Sequence, residues 1–332
     1  MDSLREQWLI LISTPLYAVI IGLELLLSNY RHRHAYSWKD SFTNFYLMLM
    51  NGLLDLAFRG VYVLALDLAY RHRLMEIETV WMYWLLLFIT EDFLYYWLHR
   101  FDHEVRLFWA VHVTHHSSEH MNFSVGFRSS VFQPLYRFIY FLPLGLMGFE
   151  PVDILFTYSA TQIWGIFVHT ELIGKMGWLE HILVTPSHHR VHHASNPKYL
   201  DKNMGMFLII WDKLFGTFQA ELPTAQYQPI RYGLTKPLEQ ENPGKVIFHE
   251  WQSIGQDLSR DDIGWREKLG YVFGPPGWSH DGSRKTSDEL RAEEDGQSSQ
   301  SNYAMPLAAG KPLKTSKPIP SDDRSILDSS GQ

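Results

Sequence analysis

The chain contains no cysteine. That one absence excludes disulfides, thiolate zinc sites and iron–sulfur clusters, so any bound metal must be held by nitrogen and oxygen. A basic excess is also missing. The formal net charge is −7, much of the acidity lies beyond residue 236, and nothing suggests a nucleic-acid partner. No G-x-G-x-x-G run and no His-Pro-Gly-Gly motif occurs, so neither a dinucleotide nor a haem domain is signalled. No repeat of 20 to 50 residues is visible beyond the histidine pattern described below.

Long apolar, aromatic-rich runs fill the first 220 residues. "WLILISTPLYAVIIGLELLLS" (8–28) has the length of a membrane span, carries one charge, Glu24, and follows a start too acidic for a signal peptide. Residues 42–70 and 79–99 are further candidate spans, the first interrupted by Asp55, Arg59 and Asp67. Residues 131–149 and 152–169 read as a hairpin turned at Glu150-Pro151, with Pro134 and Pro143 kinking its first arm. These runs predict an all-α, polytopic membrane bundle of about four to five hydrophobic helices or half-hairpins. Arg31, Arg33 and Lys39, then Arg100 and Arg106, place the polar connections near the histidines on the cytoplasmic side; Arg71 and Arg73 run against that orientation.

The histidines form the sharpest pattern. "HRFDH" (99–103), "HVTHH" (112–116) and "HRVHH" (189–193) place His99 and His103 at i, i+4, and each triplet at i, i+3, i+4. On helices such residues share one face. His112, His115 and His116 are therefore expected to point to a common spot, as are His189, His192 and His193. Eight imidazoles exceed the need of one ion and suit two. His169, at the end of the fifth apolar run, is a candidate ninth ligand. His120, His181 and His188 lie off the pattern and receive no role. His32, His34, His72, His249 and His280 read as surface residues. A pH-sensing cluster is the plainer alternative.

Ligating imidazoles donate their second N–H to a carboxylate or carbonyl. Asp92 shares the helical face of His99 and His103 and is a candidate for that supporting layer, whereas Glu91 points elsewhere. Ser118, Glu119 and Asn122 after the second motif, and Asn196, Asp201 and Asn203 after the third, are further candidates, with helix capping as the competing role. Asp102 adjoins His103 and should face away. Trp211, Phe215 and Phe218 read as interfacial anchors.

Imidazole suits zinc, copper, iron and nickel. A dizinc hydrolase would mix in bridging carboxylates, and a transporter would bury its ligands at mid-membrane. Neutral nitrogen ligands with open positions suit Fe(II) and O₂, and a site at the membrane face would meet lipid acyl, alkyl or sterol chains. A non-enzymatic metal carrier and a dizinc membrane hydrolase remain the rival readings.

From Asp92 to Phe218 the chain resembles the fatty acid hydroxylase/sterol desaturase superfamily. "DFLYYWLHRFDH", "WAVHVTHHSSEHMN", "TPSHHRVHH" and "NPKYLDKNMGMFLIIWDKLFGTF" carry the resemblance. "HHSSEHMN" looks most like the branch that contains alkylglycerol monooxygenase. The resemblance implies a cytoplasmic cap of helices over a membrane base and two iron ions. It also implies ligation by His99, His103, His112, His115, His116, His189, His192 and His193, with His169 matching a further histidine of some members. O₂ as co-substrate follows, with an external reductant, either a cytochrome and reductase chain or tetrahydrobiopterin. Domain boundaries are expected at 1–78 (membrane spans), 79–218 (catalytic), 219–278 (soluble extension) and 279–332 (disordered tail).

Overall fold

The computed structural model describes residues 2–30, 35–238 and 242–303, with side chains placed from residue 15 to residue 296 of these. Among them the protein is helical, with two isolated β-bridges, Leu183 with Leu208 and Ala194 with Tyr232. The three longest helices come first: α1 (Asp2–Tyr30), α2 (Trp38–Arg71) and α3 (Val80–Glu104). Then follow α4 (Arg106–His116), α5 (Arg137–Leu146), α6 (Pro151–Phe167), α7 (Pro186–His192) and α8 (Ile210–Phe215). The C-terminal helices are α9 (Pro243–Leu258), α10 (Trp265–Phe273) and α11 (Ser287–Tyr303), and the compact unit ends at Glu294.

Helices α2, α3, α5 and α6 share one apolar core. Leu66, Leu87, Tyr95, Leu98, Phe141, Leu144, Ile154 and Tyr158 meet there. On the outer side, α2 exposes Phe42, Phe45, Leu49, Leu53, Leu56 and Leu64, an apolar stripe far larger than a water-facing helix displays. Among the described residues α2 alone is long and apolar enough to cross a membrane; Pro15–Tyr30 is a shorter apolar helix. That stripe suits membrane association; a bundle of four to five hydrophobic helices or half-hairpins does not follow from it.

The expected spans are altered in specific ways. Residues 79–99 lie within α3, which continues to Glu104 and so carries His99 and His103 inward on one rigid rod. The arm 131–149 breaks into a 3₁₀ turn, Gln133–Leu135, and the ten-residue α5, with Pro134 in the turn and Pro143 inside the helix. Pro151 starts α6 at its first position, where the missing N–H costs nothing. The lone charge of α1 is also accounted for: Glu24 is buried and accepts hydrogen bonds from Tyr36 Oη, Phe123 N and Thr170 Oγ1.

Two expectations about charge and disorder are revised. Arg106 is not a loop cation facing a membrane surface; it is buried, with its guanidinium bonded to Glu250, Ser253, Asp257 and the Tyr271 carbonyl. Arg31 and Arg33, like His32 and His34, lie outside the described residues. The stretch from 279, expected to be disordered, is held by Arg284 on Asp257, by Arg291 on the Leu200 carbonyl and by Glu294 on Tyr227. Low apolar content there is offset by charge-assisted hydrogen bonds. Residues 304–332 of that tail lie outside the described residues.

Candidate metal centre

Nine buried or nearly buried imidazoles converge at the inner ends of α3, α4, α6 and α7. Their ring nitrogens fall into two groups, each within 4.8 Å. His99, His103, His112, His116 and His192 form the first; His115, His169, His189 and His193 form the second. In the first, His99 Nε2 lies 3.0 Å from His112 Nε2, which lies 3.2 Å from His116 Nε2. In the second, His169 Nε2 stands 2.9 Å from His189 Nε2, 3.1 Å from His193 Nε2 and 3.3 Å from His115 Nε2.

These spacings would be repulsive in an empty cage. Six of the nine rings turn Nδ1 outward to an acceptor: His99 to the Met204 carbonyl (2.8 Å), His115 to Arg128 (2.9 Å), His192 to Lys202 (3.0 Å) and His169 to Gly165 (2.6 Å). His103 Nδ1 meets Asp201 Oδ1 at 3.1 Å, and His112 Nδ1 meets Ser130 Oγ at 3.3 Å. An Nδ1 that donates outward leaves Nε2 as a bare lone pair facing inward. Lone pairs about 3 Å apart repel, and an ion with bonds of roughly 2.0–2.1 Å to each nitrogen separates its ligands by about that distance. His103 Nε2 and His192 Nε2 are buried with no hydrogen-bond partner, as an ion's ligands would be. The residues fit two metal ions.

Burial, and then repulsion from neighbouring imidazoles, holds His112, His116, His189, His192 and His193 well below the usual histidine range. His115 is pushed down to about 4, again chiefly by burial. All are neutral near pH 7, the state that ligates.

A single loop orients the first group. Asp201, Lys202 and Met204 supply the acceptors for His103, His192 and His99, and Asp201 and Asn203 both adopt left-handed backbone, φ 53° and 57°. Such conformations persist in non-glycine residues only when surroundings impose them. Here Asn203 bonds the His188 and Gln219 carbonyls, and Asp212 accepts from Met204 N (2.6 Å) and Gly205 N (2.8 Å). Close packing fixes Gly205 as well, since a Cβ there would lie 2.7 Å from the Leu208 carbonyl oxygen.

The expected supporting residues separate into those that touch a histidine of the cage and those that do not. Asp201 touches His103. Asp92 accepts from Phe207 N, Leu208 N and the indole of Trp211, so it anchors the far end of the loop that carries Met204. Trp211 packs against Phe93. Asn122 ties the Ala35 carbonyl to Ser124, Ser118 bonds Asp40, and Asn196 bridges Pro229 and Arg231. Glu119 is exposed. Asp102, expected to face away, is buried with Oδ2 3.8 Å from His112 Nδ1; burial pushes it up to about 7 against donors from Tyr136 and Gln133. His188 lies outside both groups and closes the start of α7, its Nδ1 3.4 Å from Thr185 N. The carbonyls of Lys202, Met204 and Arg128 carry no residue-type signal and were invisible in the sequence.

Residues 84–217 match the family model described as fatty acid hydroxylase. All nine cage histidines lie within that matched stretch. The chain is 35% identical to alkylglycerol monooxygenase of Xenopus tropicalis and 37% identical to that of Homo sapiens, each over 80% of its length. It spans 58% and 59% of those relatives. An ornithine lipid hydroxylase of Rhizobium tropici is 30% identical over 39% of the chain and 40% of that protein. No solved structure matches significantly.

Proposed function

We propose that the protein is an integral-membrane, di-iron, O₂-dependent monooxygenase of lipid chains, with alkyl ether lipids as the favoured substrate class. The split cage supports this most directly: two separate groups of neutral nitrogen donors with no carboxylate between them. His99, His103, His112, His116 and His192 would hold one iron and His115, His169, His189 and His193 the other, and the pair would supply the O₂ activation that C–H hydroxylation needs.

The chain's own residues do the rest. Carbonyls and Asp201 hold the imidazoles in one tautomer and orientation, so that the ligands would need little reorganisation during the reaction. Burial limits the contact of the cage with bulk water. The apolar bundle of α2, α3, α5 and α6 beside it suits a lipid chain. We place the histidine cap on the cytoplasmic face, in keeping with the charge bias of the connections. An ether substrate is favoured because the relatives named alkylglycerol monooxygenase match twice as much of the chain as the ornithine lipid hydroxylase does. Reducing equivalents come from outside, from a cytochrome and reductase chain or from tetrahydrobiopterin.

The test is iron-loaded protein in detergent with an alkylglycerol, O₂ and each reductant in turn. Hydroxylation at the carbon beside the ether oxygen gives a hemiacetal that collapses to an aldehyde and glycerol, so aldehyde should appear with one O₂ taken up per ether cleaved. Lipid breakdown that proceeds without O₂ would contradict the proposal and indicate hydrolysis.

A further inference from the structure

A cavity of about 570 Å³ adjoins the first histidine group. His103, His116, His192 and His193 form its buried floor, with the indole of Trp109 beside them, its ring 5.2 Å from that of His103. Its rim is exposed and polar, at Thr235, Lys236, Ser283 and Lys285. None of those rim residues lies within 84–217, so the cavity is completed by sequence outside that matched stretch.

The wall on that side is built to stay in place. Arg106, at the start of the helix carrying His112, His115 and His116, binds Glu250 and Asp257 of α9, and Arg284 binds both carboxylate oxygens of Asp257 at 2.7 Å. The outward apolar faces of α1 and α2 contribute no lining residue. A volume of this size lies in the range of small-molecule sites, roughly 300–1,000 Å³. The passage therefore leads from water, rather than from lipid, to the rings of His103 and His192, whose Nε2 atoms lie buried without a hydrogen-bond partner.

We propose that this cavity is the aqueous entrance to the first metal position, and that it admits a small, water-soluble, hydrogen-bonding co-substrate while the lipid chain uses the apolar side. This rests on the functional reading only in requiring a metal in the cage.

Azide binding to the iron-loaded full chain, followed by its absorption band in stopped flow, tests the proposal. Thr235→Trp and Lys236→Trp narrow the rim at exposed positions, and Leu290→Ala widens the wall. Azide association is expected to slow several-fold in the two tryptophan variants and to quicken in Leu290→Ala, with iron content unchanged. Association at the parent rate in all three would overturn the proposal. If a tryptophan variant fails to load iron, Leu290→Ala decides the matter. In phosphatidylcholine vesicles the parent rate should equal that in detergent; a several-fold drop would make the cavity a lipid head-group site and overturn the aqueous assignment. Failure of the chain to bind any metal would instead count against the proposed function.

Discussion

His192 and His193 are neighbours in the chain, stand nearly perpendicular at 87°, and belong to different nitrogen groups. His115 and His116 repeat the relationship at 90°. Helical geometry explains the split between the groups. At about 100° per residue, positions i and i+4 differ by only about 40°, whereas i+3 and i+4 differ by about 100°. Each triplet therefore splits into a pair and a single. The first gives His112 and His116 to one group and His115 to the other; the second gives His189 and His193 to that other group and returns His192. The expectation that each triplet points to one spot is corrected by this exchange.

Variants should consequently separate the two ions. His112→Ala is expected to lower metal content by about one ion per chain, and His189→Ala to remove the other, since each ligand set loses one donor of few. Elemental analysis of the purified variants checks this. Equal loss of both ions from either single change would show that the groups are not independent.

How far this was legible depends on what the sequence encodes. Histidine spacing located eight of the nine rings, because the periodicity of a helix is written in residue numbers. His169 stood outside the triplets and came in through its place at the end of an apolar run. The loop of Asp201, Lys202 and Met204 was half legible: a carboxylate announces itself, whereas a backbone carbonyl belongs to every residue alike. Arg106 misled because a cation near an apolar helix looks like a membrane-flanking charge until Glu250 and Asp257, some 150 positions later, are seen against it. Asp102 misled because adjacency to His103 fixes its direction on α3 but says nothing about α4, from which His112 reaches it.

Asp201 and Glu119 provide a paired test of ligand support. Asp201→Ala removes the acceptor on His103 Nδ1, and metal affinity should fall on the order of 10- to 100-fold, as loss of such partners commonly does. Glu119→Ala should leave affinity unchanged, since that side chain is exposed. Competition with a chelator of known affinity measures both.

Arg106→Ala should destabilise the fold by about 3 kcal/mol or more, because Glu250 loses its partner and Asp257 keeps only Arg284. Thermal unfolding in detergent would record it. Asp262→Ala, which breaks only the exposed pair with Arg260, should leave the unfolding temperature unchanged.

The metal-free protein should lose stability in mild acid. Burial holds His112, His116 and His193 well below the usual histidine range, so the folded state takes up protons less readily than the unfolded chain. The resulting stability is complete above about pH 6.5 and is lost as pH falls towards the depressed values, about 4 for His115. Melting temperatures of the metal-free protein should be level from pH 8 to 7 and decline below about 6.5. A melting temperature that rises over that acid range would contradict the assignment of neutral, buried imidazoles.

The central claim is that one chain holds two iron ions in adjacent all-histidine sites. Iron content of the detergent-purified protein, measured together with O₂ uptake on adding reductant and an alkylglycerol, tests it most directly. Two irons per chain with reductant-dependent uptake is the expected result. A single ion per chain, or tightly held zinc with no uptake after iron reconstitution, would contradict it.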